Sequence, residues 1–286
     1  MPLILCRERP LPPGRMEAAL RRAVEINPEN ARERRRVTLT PAGRAGGPRR
    51  IAVVTARRWP RAGVRLGVSF LDGASAALRS RILLHMNAWG RKANVKFAET
   101  DGVGEVRIAR LDRPARVAGY WSYIGTEILE TPEDEPTMNL EGFTARTSES
   151  EFRRVVRHEA GHTLGFEHEH MRTDIVKRID RAKAFAYFDR EEGWSRKDIE
   201  EQVLTPLSKR SLMGTTESDP LSIMCYQLPA EIMIDGKEVA GGVDINPRDA
   251  AFAGSIYPKR RPRAPGDKPD VPGSSPAATV AVRPAP

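Results

Sequence analysis

The stretch His158-Glu159-Ala160-Gly161-His162-Thr163-Leu164-Gly165-Phe166-Glu167-His168 limits what this chain can become more than any other. Of five histidines in 286 residues, His158, His162, His168 and His170 all fall between positions 158 and 170. Histidines scattered through a core do not cluster in this way. Two of them stand four apart with a glutamate beside the first, the spacing of a metal-binding helix.

Local signals place that stretch on a helix. Ser148-Glu149-Ser150-Glu151 has the form of a capping box with Phe152, Val155 and Val156 behind it, so a helix over 149–164 is expected. Four residues advance about 6 Å and return nearly to the same azimuth. His158 and His162 then share a face, and both imidazoles can reach one ion at about 2.0–2.1 Å. Glu159 lies about 100° away and points beside the metal, which suits a general base acting on a metal-activated water. Gly165 should end the helix, because glycine enters the left-handed conformation cheaply. The turn then brings His168 back as a third ligand. Three protein ligands leave one position open, a catalytic pattern, whereas structural zinc sites are usually closed by four ligands. One catalytic Zn2+ is therefore expected, and a purely structural zinc is the plainer alternative.

Bulk properties bound the rest. The formal charge of +9 belongs to the ends: residues 1–50 hold 12 Lys/Arg and 5 Asp/Glu, residues 259–286 hold 6 and 2, and the middle is left at −2. No aromatic-rich basic motif accompanies it, so solvated, flexible ends are expected and nucleic acid is not an expected partner. No apolar run approaches the roughly 18–20 residues of a membrane span. Residues 1–7 have no charged n-region, and their apolar run falls short of the roughly 7–15 residues of a leader. The chain as written therefore reads as cytoplasmic, with unconventional secretion as the other route. Two cysteines, Cys6 and Cys225, make no disulfide framework. Cys225 reads as a buried thiol. Cys6 raises the idea of an N-terminal thiolate folding back onto the zinc, since soft thiolate suits that ion.

Three regions follow: 1–50 as a basic extension and linker, 51–258 as the catalytic domain, and 259–286 as a disordered Pro/Arg-rich tail. The extension holds one expected helix, 16–26, and a linker at 38–50. Strands are expected at 51–55, 64–70, 95–97, 105–109 and 136–140. Leu78, Ile82, His85 and Trp89 share one face of a helix over 75–90. His85 there reads as core packing, and His170 as a surface residue. Helical patterns follow at 179–190 and 195–203. Asn246-Pro247-Arg248-Asp249 starts a last helix running to about 257.

The whole stretch resembles the HExxHxxGxxH signature of metzincin metallopeptidases. With Phe166 after the glycine, Glu169 after the third histidine, then Arg172 and Asp174, it resembles the astacin branch. Ser222-Ile223-Met224-Cys225-Tyr226 is similar to that family's Met-turn, and Trp121-Ser122-Tyr123-Ile124-Gly125 to its WSYVG segment. The resemblance implies an α+β metzincin-like zincin fold. An N-terminal twisted mixed sheet with two helices should face a smaller C-terminal half holding the Met-turn and a final helix. It implies a zinc endopeptidase with His158, His162 and His168 on the metal and Glu159 as base. Tyr226 becomes a mobile further ligand and oxyanion donor, against a packed aromatic as the plain reading. Gly165 and Met224 support the site, Met224 from below. Thr137, Met138, Asn139 and Leu140 fall where an edge strand pairs with an extended peptide or protein substrate. Glu169 would pair with an N-terminus freed on activation. The alternative from another class is a non-hydrolytic peptide- or protein-binding protein on the same scaffold, which would not require Glu159. Oligomeric state is not legible.

Overall fold

A computed structural model of the chain describes residues 6–7, 9–31, 57–114, 118–207 and 218–259. The expected linker at 38–50, the strand at 51–55 and the tail from 260 lie outside these residues. Strand β1 (Val64–Phe70) alternates as its sequence does, burying Val64, Leu66 and Val68. Beside it run β2 (Val95–Glu99), β3 (Val106–Ala109), β4 (Tyr120–Ser122) and β5 (Met138–Leu140). Their spatial order is β2-β1-β3-β5-β4. Pairings β1–β2, β1–β3 and β3–β5 are parallel, and β4–β5 is antiparallel, so the sheet is mixed.

That order corrects one expectation. Residues 137–140 do not form a sheet edge: β5 lies between β3 and β4, and the edge is β4. The chain makes β4 first and then returns inside it. Thr137, Met138, Asn139 and Leu140 are fully buried, and their polar groups serve the sheet. Thr137 Oγ1 accepts from Arg107 N, and the Asn139 amide bonds both backbone groups of Leu111.

Helix α1 (Pro13–Ile26) opens with proline at a position that needs no N–H donor, three residues ahead of the expected start. It packs on a 3-10 turn, Gly125–Glu130, and buries Ala19 and Ala23. Asn27 and Asn30 follow it, and both donate to the Arg58 carbonyl. Residues 9–31 are thus docked on the body, contrary to the expected solvated end. Helix α2 (Ala76–Met86) is capped by Ser75 and buries Leu78, Ile82 and His85. It stops short of 90 because Asn87 exchanges hydrogen bonds with Phe97 of β2.

The central helix comes in three pieces: α3 (Glu149–Glu151), a π-helical turn (Phe152–Val156) and α4 (Arg157–Thr163). Ser148 accepts from Glu151 N, but the Glu151 carboxylate pairs with Arg154, so the expected box is half made. Then come α5 (Thr173–Val176), α6 (Arg181–Glu192), α7 (Arg196–Ile199) with a π turn (Glu200–Leu204), and α8 (Pro247–Ile256). The second half has its own core, including Ile175, Phe188, Trp194, Ile199, Val203 and Leu228. Ile223 and Met224 belong to the first core, and Cys225 and Tyr226 to the second, so this segment stitches the two halves. Among the described residues no helix is long and apolar enough to cross a membrane.

Candidate metal centre

Helix α4 ends in a tight, doubly bonded turn. Gly165 takes φ +92°, its N–H bonds the His162 carbonyl, and Phe166 N–H bonds the Gly161 carbonyl. This 6→1 and 5→2 pair is the Schellman arrangement, which a left-handed residue permits. Two aromatic donors hold neighbouring carbonyls: Trp59 Nε1 donates to Thr163 O at 2.8 Å and Tyr257 Oη to Leu164 O at 2.6 Å. The last carbonyls of a helix lack intrahelical partners, so these bonds satisfy buried acceptors.

The turn delivers His168 to the two helix histidines. The three Nε2 atoms face one another at 3.0–3.2 Å. His158 Nδ1 donates to Ile223 O at 2.6 Å, and His162 Nδ1 donates to Phe166 O at 2.8 Å. Those carbonyl partners put the proton on Nδ1 and leave Nε2 as a bare lone pair. Burial also disfavours the charged imidazolium: His158 is lowered to about 4, and His162 and His168 fall well below the ordinary value. His158 and His162 thus turn two inward lone pairs toward His168, whose Nδ1 has no hydrogen-bond partner and whose Nε2 completes the group. The donor set therefore fits Zn2+.

Glu159 is fully buried beside this group, and burial pushes its carboxyl up to about 8, against the lowering effect of the Cys6 thiol. Its Oε2 accepts from that thiol at 3.3 Å, while Oε1 has no hydrogen-bond partner. Cys6 Sγ joins the three histidines in one cluster whose ligand atoms all lie within 4.8 Å of one another. Arg7 N–H bonds the Tyr120 carbonyl at 2.9 Å, which pairs the Cys6 segment parallel to edge strand β4. The Tyr226 hydroxyl donates to the Cys6 carbonyl. A cleft of about 570 Å³ continues from here, walled by Tyr120, Arg154, Val155, Tyr226, Gly242 and Val243.

Met224 lies against the helix backbone: a Cβ on Gly161 would stand 2.4 Å from the Met224 Sδ. The turn holding Met224 is fixed by Asp249, whose carboxylate accepts from Ser222 Oγ at 2.6 Å and Ile223 N at 2.9 Å. In the sequence, Asp249 is legible only as the third residue of the last helix, behind its Asn246 cap. Its second role was not legible, because the same carboxylate also completes the Asn246 capping box. Glu169 accepts from Asp219 N at 3.0 Å and faces Arg172 at 3.4 Å. His170, expected at the surface, is fully buried against Tyr226.

Comparison with known proteins agrees with this geometry. A crystal structure of myroilysin matches with TM-score 0.54 at 29% identity, covering 71% of this chain and 86% of that one. A second structure of myroilysin matches with TM-score 0.66 at 29% identity, over 73% of this chain and 98% of that chain. High choriolytic enzyme 1, a hatching enzyme zinc-protease from Oryzias latipes (medaka fish), aligns at TM-score 0.45 and 17% identity, over 68% and 90%. A search of curated proteins returns no match. The model of the astacin peptidase family matches residues 52–201, just over half of the chain, and takes in the three histidines and Glu159. With that match lying over the histidine cluster, the chain belongs to the astacin family of zinc metallopeptidases.

Proposed function

We propose that this chain is an endopeptidase that hydrolyses internal bonds of extended peptides at the centre formed by His158, His162, His168, Glu159 and Tyr226. One observation carries the reading: a buried carboxylate with an unpartnered oxygen stands beside three imidazoles whose Nε2 atoms converge. When bound, a single zinc ion supplies Lewis acidity that polarises a carbonyl and acidifies water. Glu159 takes one proton from water as its oxygen adds to the scissile carbonyl carbon. It then returns that proton to the departing nitrogen as the C–N bond breaks, leaving a carboxylic acid and an amine, and the acid's proton then passes to the amine to give a carboxylate and an ammonium. The Tyr226 phenol, now bonded to a carbonyl oxygen, is placed to donate to the oxygen that gains charge. The side of β4 now paired with the Cys6 segment would offer its backbone groups to an extended substrate once that segment leaves. Family membership does not favour the non-hydrolytic alternative. The test is cleavage of a peptide library by zinc-loaded chain and by Glu159→Gln. Full zinc content with no cleavage, also after Cys6→Ser, would sink the peptidase reading.

A second reading is favoured by a specific observation: Cys6 engages every part of this centre. Its thiol reaches the histidine cluster and Glu159, and its carbonyl takes the Tyr226 hydroxyl. The full chain is therefore proposed to be latent, with Cys6 as the zinc's soft fourth donor. Cys6→Ser should raise full-length activity. Removing zinc should speed reaction of the native chain's thiols with a thiol reagent. No change in either measurement ends this idea.

A further inference from the structure

We infer that His170 is a positioning residue for Tyr226, holding the phenol in the one orientation that aims its hydroxyl into the centre. The inference rests on the reading of Tyr226 as an oxyanion donor. The imidazole of His170 lies face to face with the Tyr226 ring, with centroids 3.9 Å apart and planes 13° from parallel. Both rings are buried, at 0% and 4% exposure. His168 touches the same ring at 4.4 Å and 57°, so the phenol is held between a metal ligand and His170.

What makes His170 a fixed platform is its own anchor. Its Nε2 lies 2.9 Å from the Gln202 carbonyl, which can only accept, so Nε2 carries the proton. Gln202 sits in the π turn Glu200–Leu204, within the last four residues of that helical run, where carbonyls lack intrahelical partners. Nδ1 of His170 has no hydrogen-bond partner, so Gln202 is the polar contact that sets the ring plane. The phenol oxygen lies on the axis of its ring. Swinging that axis about the Cα–Cβ bond would lift the whole ring face off the imidazole. A stacked aromatic pair is stabilised beyond what its burial alone contributes. The residue two beyond the third ligand thus sets the direction of a donor that lies far along the chain, in the Met-turn.

The experiment uses the full-length, zinc-loaded chain carrying Cys6→Ser. Tyr226→Phe should lower kcat by about 100-fold, the usual effect of removing one oxyanion donor. His170→Ala should lower kcat by about tenfold and leave KM within about twofold, since the donor acts in the transition state. His170→Phe, which keeps a flat ring, should recover most of the loss. His170→Ala in the Tyr226→Phe background should cost nothing further. An equal loss in both backgrounds overturns the proposal, because His170 would then act elsewhere. If Tyr226→Phe leaves kcat unchanged, the oxyanion reading fails instead. A second measurement stands apart from activity: the flip rate of the Tyr226 ring, by NMR of ring-labelled tyrosine in the native chain. It should rise in His170→Ala and stay slow in His170→Phe. An unchanged rate in His170→Ala overturns the proposal whether or not cleavage is seen.

Discussion

Single residues at this centre carry two duties each, and the second duty is what the sequence conceals. Gly165 ends α4 at φ +92° and thereby aims His168 at the other two imidazoles. Gly165→Ala forces a Cβ into the left-handed region, at a cost of about 1–2 kcal/mol. The expected outcome is a lower Tm together with weaker zinc retention in competition with a chelator. A fall in Tm with zinc affinity intact would separate helix termination from ligand delivery. Asp249 likewise both closes the capping box of α8, accepting from Asn246 N–H, and holds Ser222 and Ile223. The first duty is visible because Asn-Pro-Arg-Asp is a local signal. The second depends on a contact 26 residues back along the chain, which spacing cannot report.

At the scale of elements, the central helix is held by charge at its start and by aromatic donors at its end. Glu149 bonds Arg81 at 3.0 Å and Arg153 at 3.2 Å. These bonds hold its carboxyl at about 2, below the ordinary 4.5, the Arg81 bond first and Arg153 second. A carboxyl lowered on folding contributes stability that is present above about 4.5 and lost as pH falls toward about 2. Glu149→Gln should therefore lower Tm near neutral pH and match the native chain near pH 2. Added salt should shrink the difference, because the group is half exposed and screened. A Tm difference independent of pH would mean the effect is not one of charge. The helix and its ligands were legible because periodicity and caps are local. Strand order was not. Residues 136–140 have a strand's composition, but nothing local tells that β4 would fold outside them. His170 was misplaced for a similar reason: its partners Gln202 and Tyr226 come from distant turns.

Across the whole molecule, residues 6–7 and 9–31 touch both cores, Cys6 the second and Leu11 and Ala19 the first. Stripping zinc leaves three buried, uncharged imidazoles facing one another at 3.0–3.2 Å. Chelation should lower Tm, and returning zinc should restore it, by the linkage that stabilises any state able to bind. An unchanged Tm in a chain shown to have lost its metal would place the site outside the folding unit. The N-terminal segment reaches the centre through Cys6 and grips the sheet half through α1, whose following residues Asn27 and Asn30 hold the Arg58 carbonyl. On the latency reading, that double attachment has a consequence for how the protein responds to concentration. While the backbone is continuous, the blocking group meets its target at a fixed local concentration, whatever the amount of protein. One cut between residues 31 and 57 would leave the same contacts but turn them into a bimolecular equilibrium. The blocked fraction would then fall as the solution is thinned, and each molecule would become more active simply by drifting away from its neighbours.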